Sequence, residues 1–207
     1  MLINQQKDFF FLWGGKNNDI RQIIRMSPTE GTILHMLSVQ ATTRIVEIGR
    51  YKGGSTFILC KSSKENIPVI SIDCCSRLGS NKNIEPASFL QKFIELKKLT
   101  FINKKSEEVY IERPYDLILI DGDHSFTGVS TDVKRYWLNL TKGGKAIFHD
   151  YWAKKGVRRV VDSLLKHKIG TEITLVEPTT TTTPSNKKNN DIVVIQKETE
   201  LDPSIKL

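Results

Sequence analysis

The sequence has few cysteines, no long apolar run near its start and no block of like charge. Its three cysteines, Cys60, Cys74 and Cys75, are an odd number with an adjacent pair, and no C-x-x-C spacing occurs. This pattern argues against a disulfide framework and a zinc knuckle, and favours a reducing compartment, so we expect a cytoplasmic protein. The apolar run from Phe9 to Trp13 is too short for a membrane span or a signal-peptide core, so no membrane partner is expected.

The size and the charge set limits on the class of protein. At 207 residues, of which 39% are hydrophobic, the chain has the length of one domain with a substantial core. The net charge of +8 would suit nucleic acid, although a lysine-rich solvated surface produces the same balance. No run of five or more like charges occurs. Nucleic acid therefore stays an open partner that the pattern does not favour.

Short apolar runs alternate with segments of helical length in the middle of the chain. The runs are RIVEI (44–48), VISID (69–73), LTFIN (99–103), YDLILID (115–121) and KAIFHD (145–150). The segments between and after them are 55–63, 84–96, 127–140 and 157–166. Because the runs lack polar residues at alternate positions, they predict strands that are covered on both faces, which is typical of β-α-β units with a parallel sheet.

The two ends of the chain predict different structures. Residues 1–40 favour helices, one of which begins with Ser27 as N-cap, Pro28 in the first turn and Glu30 three residues after the cap. In the tail, EITLVE (172–177) and DIVVIQ (191–196) are joined by a polar, threonine-rich loop and predict an antiparallel hairpin. The predicted fold is α/β: a Rossmann-like doubly wound, mostly parallel seven-stranded sheet with an antiparallel C-terminal hairpin and N-terminal helices. Its parts are an N-terminal helical cap (1–40), a cofactor-binding core (41–170) and the hairpin with the tail (171–207).

A glycine-rich turn follows the first predicted strand. VEIGRYKGGST (46–56) lacks the G-x-G-x-x-G spacing of nicotinamide-binding proteins, but its glycines let a ligand approach the backbone, and Ser55 can cap the next helix. Asp73 ends the second strand, where nucleoside-binding α/β folds place an acid that accepts hydrogen bonds from ribose hydroxyls. Glu47 is a second acid beside the turn, suited to a cationic ligand. A tight turn without a ligand is the alternative for the glycines.

Two more acids end the fourth and fifth predicted strands. Asp121 opens the stretch DGDHS, and Asp150 lies in HDY. If these strands are neighbours, their backbones lie about 4.8 Å apart, so that the two carboxylates could share a hard divalent cation. Asp123 is a candidate helix cap or turn former. His124 is a candidate general base, with a structural or substrate-contacting role as the alternative.

In this order, the E-I-G-x-x-x-G-G-S-T turn, Asp73, DGDHS and HDY resemble class I S-adenosylmethionine-dependent methyltransferases over residues 27–165. The likeness is to small-molecule O-methyltransferases of the catechol type and to related antibiotic and sugar methyltransferases. The resemblance implies that Asp73 holds the ribose and that Ser106 lies near the adenine. It also implies that the methionine side of the cofactor is lined by Glu47, Gly49, Tyr51, Gly53 and Ser55. Asp121 would lie at the reacting end.

The resemblance also implies a metal-assisted reaction. Metal-dependent members carry an aspartate at the position of Asp121 and an acidic or amide pair after the fifth strand, so Mg²⁺ or Mn²⁺ bound by Asp121 and Asp150 is expected. Here a tyrosine follows Asp150, and His149 could be the third ligand instead. Strand alternation opposes that role unless the strand ends between His149 and Asp150. His124 then takes the proton of an acceptor hydroxyl whose oxygen attacks the sulfonium methyl group.

The expected function is methylation of a small hydroxylated acceptor, either a sugar-like compound or a secondary metabolite. A homodimer is compatible with this function. The acceptor pocket is expected from residues 1–26 and 76–90. Two alternatives stay open at this point. One is a nucleic-acid methyltransferase, and the other is a protein that binds S-adenosylmethionine without catalysis.

Overall fold

The structure is a computed structural model that describes residues 12, 23–74, 88–112, 114–176, 191–205 and 207. Several predictions fall outside these residues: most of the segment from Phe9 to Trp13, the beginning of the helix expected at Ile84, the second cysteine of the adjacent pair and the threonine-rich loop.

The described chain forms one seven-stranded sheet with helices on both faces. The strands are β1 (Ile45–Ile48), β2 (Val69–Ile72), β3 (Leu99–Ile102), β4 (Tyr115–Ile120), β5 (Leu140–His149), β6 (Gly170–Val176) and β7 (Ile192–Lys197). The helices are α1 (Pro28–Gln40), α2 (Gly54–Ser62), α3 (Ser88–Glu95), α4 (Phe126–Tyr136) and α5 (Lys155–Lys166), with a short 3-10 helix at Ser106–Glu108. The strand order across the sheet is β3-β2-β1-β4-β5-β7-β6.

The first five strands pair in parallel, and β7 lies antiparallel to both β5 and β6. The predicted doubly wound sheet and its C-terminal hairpin are therefore confirmed. The largest difference in a strand boundary is at β5, which begins at Leu140, five residues before the predicted start at Lys145. The run from Thr141 to Gly144 is polar and lies beyond the core, so its sequence carries no apolar signal.

Alternating residues of each strand belong to two separate cores, one on each face of the sheet. Val46, Ile118 and Phe148 pack with the apolar side of α4 and α5. Ile45, Leu117 and Ile147 pack with α1, α2 and α3 on the other face. Both faces are covered, so the strands have no solvent-facing side. This explains why their sequences are continuously apolar.

Helix α1 begins at the predicted cap. The Ser27 hydroxyl accepts a hydrogen bond from the Glu30 N–H, and the Glu30 carboxylate accepts one from the Ser27 N–H, which completes a capping box. Leu34 and Leu37 are buried, but Met36, an apolar residue between them along the helix, is 55% exposed. Within the described ranges no helix is long and apolar enough to cross a membrane.

Candidate functional site

A cavity of about 720 Å³ opens at the carboxyl ends of β1, β2, β4 and β5. These four strands are adjacent in the sheet, in the order β2-β1-β4-β5, so the loops that follow them meet along one edge. This edge is where open α/β sheets bind their ligands. Its volume is in the usual range for a small-molecule or cofactor site.

The glycine turn after β1 forms one wall of the cavity. Gly49 has a φ of +87°, and a Cβ there would lie 2.1 Å from the carbonyl oxygen of Asp121. Only glycine fits this crossing of two chain segments. Tyr51, which lines the cavity, also has a left-handed φ, of 51°. The turn is held by Asp73, whose Oδ2 accepts hydrogen bonds from the N–H groups of Arg50 and Tyr51, both at 2.8 Å.

Two predicted cofactor contacts lie behind the wall instead of on it. Glu47 is fully buried, and its carboxylate accepts hydrogen bonds of 2.5 Å from the hydroxyls of Ser55, Thr56 and Ser71. Burial raises its pKa, against the effect of these bonds. Gly53 faces α3, where a Cβ would lie 2.6 Å from the Leu90 side chain. Neither residue lines the cavity. Glu47 supports the turn from below because its strand position points into the packed layer.

Asp121, His124 and Asp150 come together at one end of the cavity. Each offers one ligand atom, and these atoms all lie within 4.8 Å of one another. His124 lies between the two acids, with Nε2 3.1 Å from Asp121 Oδ1 and Nδ1 3.4 Å from Asp150 Oδ2. Burial alone would raise the pKa of Asp121, but His149 and His124 outweigh it and lower this pKa to about 2. The two histidines therefore favour the charged form of this half-buried carboxylate.

The sequence suggested His149 as the third ligand beside Asp121 and Asp150, whereas His124 occupies that place in the cluster and His149 lies next to it. β5 ends at His149, and Asp150 takes a left-handed φ of 61°, so the two side chains are not bound to strand alternation. His149 Nδ1 lies 3.0 Å from Asp121 Oδ1, and Nε2 lies 3.6 Å from Glu30 Oε1. Burial alone would lower its pKa, but the carboxylates of Asp121, Asp150 and Glu30 raise it to about 9.

Glu30 and Asp191 complete the surroundings of His149, and sequence reasoning missed both roles. Glu30 Oε1 accepts a 2.6 Å hydrogen bond from the Asp191 N–H, in addition to the capping bond at Oε2. The Asp191 carboxylate accepts bonds from the N–H groups of Trp152 and Ala153. The N-terminus of α1, the beginning of β7 and the end of β5 are thereby joined. The sequence signal for Glu30 was its place in the capping box, which says nothing of a second partner.

Ser106 and Asp132 also line the cavity. The Ser106 hydroxyl donates a 2.5 Å hydrogen bond to Asp132 Oδ1. Asp132 is 3% exposed, and burial, together with the charges of Asp123 and Glu107, raises its pKa to about 6. Asp132 was not among the predicted site residues, although it ends the stretch DGDHSFTGVSTD (121–132), which begins with Asp121.

The remaining predicted positions divide between lining and support. Asp123 accepts bonds from the N–H and hydroxyl of Ser125, the N-cap of α4, and so acts in the turn before the helix. Ser55, a predicted cofactor contact, lines the cavity. The rim beyond the acid cluster comes from residues 23–26 and from Lys154, and the guanidinium of Arg25 lies 4.6 Å from the centre of the Tyr51 ring. Of the expected acceptor segment 76–90, only residues 88–90 are described.

Comparison with protein families gives one match in this region. Residues 46–151 match the family model described as a methyltransferase domain, a range just over half of the chain. An uncharacterized protein of Acanthamoeba polyphaga mimivirus is 30% identical over 115 residues, which are 51% of this chain and 50% of that protein. The chain therefore spans about half the length of this curated relative.

Solved structures of similar fold act on different acceptors. The O-methyltransferase from Bacillus cereus in complex with SAH is 20% identical, with a TM-score of 0.58 over 83% of this chain and 82% of that chain. The N-methyltransferase NodS from Bradyrhizobium japonicum is 18% identical, with a TM-score of 0.58 over 83% and 96%. An rRNA methylase from Streptococcus thermophilus is 14% identical, with a TM-score of 0.56 over 84% and 99%. These likenesses show the fold and leave the acceptor open.

Proposed function

Because the chain belongs to the methyltransferase-domain family, we propose that it transfers the methyl group of S-adenosylmethionine to a hydroxyl group of a small, sugar-like or secondary-metabolite acceptor. The observation that carries this proposal is the meeting of Asp121, His124 and Asp150 beside the glycine turn. An oxygen nucleophile must lose a proton during the transfer, and this cluster offers a base with two carboxylates next to it.

The cofactor would lie along the edge of the sheet. Asp73 already accepts two N–H bonds from the turn at Oδ2, and a carboxylate oxygen accepts more than one bond. An acid at the end of the second strand is where nucleoside-binding α/β folds hold the ribose hydroxyls. The sulfonium end would then lie near Gly49 and Tyr51, at the same end as Asp121, because Gly49 and Asp121 touch.

The reaction that we propose is a single displacement. The acceptor oxygen forms a bond to the methyl carbon while the carbon–sulfur bond breaks, and the sulfonium becomes a neutral thioether. His124 takes the hydroxyl proton, and Asp121 and Asp150 stabilise the resulting imidazolium from distances of 3.1 and 3.4 Å. His149 and Glu30 hold Asp121 in place. Much of the rate would come from the alignment of acceptor and methyl group.

The chemistry of the cluster also fits a divalent cation. Asp121 and Asp150 supply oxygen atoms, and His124 supplies a nitrogen that would favour Mn²⁺ over Mg²⁺. When bound, a cation would lower the pKa of the hydroxyl group of the methyl acceptor. His124 would be a ligand of that cation, or, with the cation held by the two carboxylates alone, the base.

A binding experiment tests the cofactor half of this proposal. Isothermal calorimetry of S-adenosylhomocysteine on the wild type should show one site, with Asp73→Asn weaker by about tenfold or more through the loss of charge-assisted bonds. Asp116→Asn is a matched control, because Asp116 likewise accepts bonds from two successive backbone N–H groups, of Thr42 and Thr43, but far from the cavity. A wild type that does not bind S-adenosylhomocysteine would contradict the proposal.

The acceptor half needs turnover. The wild type is supplied with methyl-labelled S-adenosylmethionine and panels of phenols, catechols, sugars and amines, with and without Mn²⁺ or Mg²⁺. Label in an ether product supports O-methylation, and loss of turnover on chelation supports the cation. Label confined to nitrogen acceptors would show that the oxygen preference is wrong.

RNA is the second acceptor class that we consider. Its support is the net charge of +8 and the exposed cations at the start of α5, Lys154, Lys155 and Arg159, of which Lys154 lines the cavity. Binding of RNA whose affinity falls steeply with salt, together with label in RNA, would favour this class over a small acceptor.

A further inference from the structure

The turn after β5 holds one carboxylate of the candidate site in an uncommon backbone conformation. Asp150 has a φ of 61°, in the left-handed region that residues other than glycine seldom adopt. Such a conformation persists only where the surrounding structure enforces it. It matters because Asp150 Oδ2 thereby lies 3.4 Å from His124 Nδ1. Whatever enforces the turn therefore also places this carboxylate.

The register of the sheet puts a second aspartate opposite the turn. His149 pairs with Ile192 in the antiparallel ladder between β5 and β7, so the next residues outward are Asp150 and Asp191. Like charges directly opposite each other on neighbouring strands are unfavourable. Because β5 ends at His149 and the chain leaves the ladder through a left-handed residue, the two carboxylates can take different partners.

Asp191 binds the three residues that follow Asp150. Its carbonyl oxygen accepts a hydrogen bond of 3.2 Å from the Tyr151 N–H. Its carboxylate accepts one from the Trp152 N–H at Oδ1 and one of 2.5 Å from the Ala153 N–H at Oδ2. Three successive N–H groups thus have their acceptors in one residue, which is 5% exposed. Since buried N–H groups need acceptors, these bonds fix the path of the chain through the turn.

Asp191 is itself held from the side of α1. Its N–H donates a 2.6 Å hydrogen bond to Oε1 of Glu30, whose other oxygen accepts the Ser27 N–H of the capping box. Glu30 is 3% exposed, so this charge-assisted bond lies in the interior. A residue can position another only if its own location is fixed, and the bond to Glu30 fixes Asp191.

We propose that Asp191 is a positioning residue for methyl transfer, which holds Asp150 against His124 by binding the turn after β5. This inference rests on the proposed function, in which Asp150 supports His124. Asp191 does not line the cavity and therefore acts through Asp150. Without its bonds the turn would relax toward a commoner conformation, and Asp150 would move away from His124. The chemical step would suffer, whereas cofactor binding beside β1 and β2 would not.

Asp191→Asn tests the effect on turnover. The amide keeps one acceptor oxygen but turns its N–H₂ group toward the N–H of Trp152 or Ala153, so a bond is replaced by a repulsion. The kcat of the folded protein, with an acceptor found by the label screen, should fall by about tenfold to a hundredfold, since small misplacements of reacting groups are costly. The Kd of S-adenosylhomocysteine should stay within about twofold of the wild type. An unchanged kcat would mean a purely structural Asp191 and would overturn the inference.

Asp116→Asn is the matched control. Asp116 likewise accepts hydrogen bonds from two successive backbone N–H groups, those of Thr42 and Thr43, but it lies at the other end of the sheet. Its substitution should keep kcat. An equal fall of kcat in the two variants would show a general effect of lost bonds and would overturn the inference.

A double-mutant cycle shows whether Asp191 acts through Asp150. Asp150→Asn removes the charge and keeps a residue that tolerates the left-handed region. In this background Asp191→Asn should lower kcat by less than about twofold further, because the carboxylate that Asp191 positions is already gone. Losses that multiply as if the two sites were independent would contradict the inference.

Amide exchange, followed by NMR on the full chain, reports on the turn without turnover. The N–H groups of Tyr151, Trp152 and Ala153 should be protected in the wild type and should exchange faster by about tenfold or more in Asp191→Asn. Unprotected groups in the wild type would overturn the inference even if Asp191→Asn does not fold. In that case Asp191→Glu, which keeps both acceptor oxygens but displaces them by one methylene group, replaces it in each comparison.

The outcomes distinguish the inference from the function beneath it. A wild type that methylates no acceptor overturns both. A wild type with turnover whose kcat survives Asp191→Asn overturns the inference alone. A fall of kcat at unchanged cofactor affinity, absent from Asp116→Asn and from the Asp150→Asn background, supports it.

Discussion

Strand β4 has an aspartate at each end, and the two are satisfied in opposite ways. Asp116, near its beginning, accepts four hydrogen bonds from the N–H and hydroxyl groups of Thr42 and Thr43. Asp121, directly after its end, has two histidines beside it, and it lines the cavity. The carboxylate of Asp116 is occupied by hydrogen bonds from two threonines. The carboxylate of Asp121 is kept charged by two histidines and remains accessible from the cavity.

The pKa values express the same difference. Burial would raise the pKa of Asp116, but the bonds from Thr42 and Thr43 lower it. Burial would also raise the pKa of Asp121, and there the charges of His149 and His124 lower it to about 2. The threonine donors carry no charge, whereas the groups that lower the pKa of Asp121 are imidazoles, which can carry one. Substitution at the two ends should therefore separate stability from activity.

The largest effect is expected for Asp121→Asn. It removes the charge that stabilises a protonated His124 and one carboxylate of the candidate cation site, so turnover with an acceptor found by the label screen should fall by about 10² to 10⁴. The measurement is kcat at saturating cofactor. Folded Asp116→Asn protein should have the kcat of the wild type. Equal losses of kcat in the two variants would show that the two ends of β4 do not differ in their role in turnover.

The next effect concerns the pH dependence of stability. His149 has a folded-state pKa of about 9, above the ordinary value of 6.5, so its contribution to the free energy of unfolding is full below pH 6.5 and is lost as pH rises through 9. This slope is up to about 1.4 kcal/mol per pH unit. Urea denaturation between these pH values should show it in the wild type and not in His149→Gln.

His167→Gln provides the control for this series, because His167 is exposed at the end of α5. It should keep the slope of the wild type. A His149→Gln protein with the wild-type slope would mean that His149 is not protonated between its two carboxylates.

A smaller effect is expected for Asp116→Asn itself. The amide keeps one acceptor oxygen but turns an N–H₂ group toward the donors of Thr42 or Thr43, which should lower the free energy of unfolding by about 1 to 2 kcal/mol. Urea denaturation measures this loss, and calorimetry should find unchanged affinity for S-adenosylhomocysteine. Weaker cofactor binding by the folded protein would link an end of β4 to the cavity that the structure shows to be remote from it.

The smallest effect is expected for Thr42→Val. It removes the hydroxyl that donates to Asp116 Oδ2 at 2.7 Å and keeps the backbone N–H bond at 2.6 Å. Because this bond is exposed, the loss should be at most about 1 kcal/mol, and urea denaturation again measures it. A loss as large as that of Asp116→Asn would show that the hydroxyl, and not the whole group of four bonds, holds the carboxylate.

Much of the fold could be predicted because its signals are local. Continuous apolar runs indicated strands covered on both faces, and the capping box at Ser27 and Glu30 marked the beginning of α1. The polar beginning of β5 carries no such signal and was missed. Met36 shows the limit of periodicity, since a residue can share the spacing of an apolar face and still lie at its exposed edge.

The candidate site could be predicted in its acids but not in their partners. Asp73, Asp121 and Asp150 follow strands, and parallel strands bring their ends together, so their meeting follows from the order of the elements. Glu47 and Gly53 lie in the same turn as the lining residues, yet they face the packed layers. Asp132, eleven residues after Asp121, reaches the cavity because α4 turns back over the sheet toward Ser106.

The sequence by itself determined the strands and helices, the glycine at the crossing of two loops and the acids at the strand ends, because each depends on neighbours along the chain. Only the tertiary structure decided which histidine joins Asp121 and Asp150. His149 is the last residue of β5, where it is enclosed between Asp121 and Glu30, whereas the left-handed turn at Asp150 sends that carboxylate to His124. The direction of a side chain at the end of a strand depends on where the strand stops and on what packs beside it, and no local pattern records either.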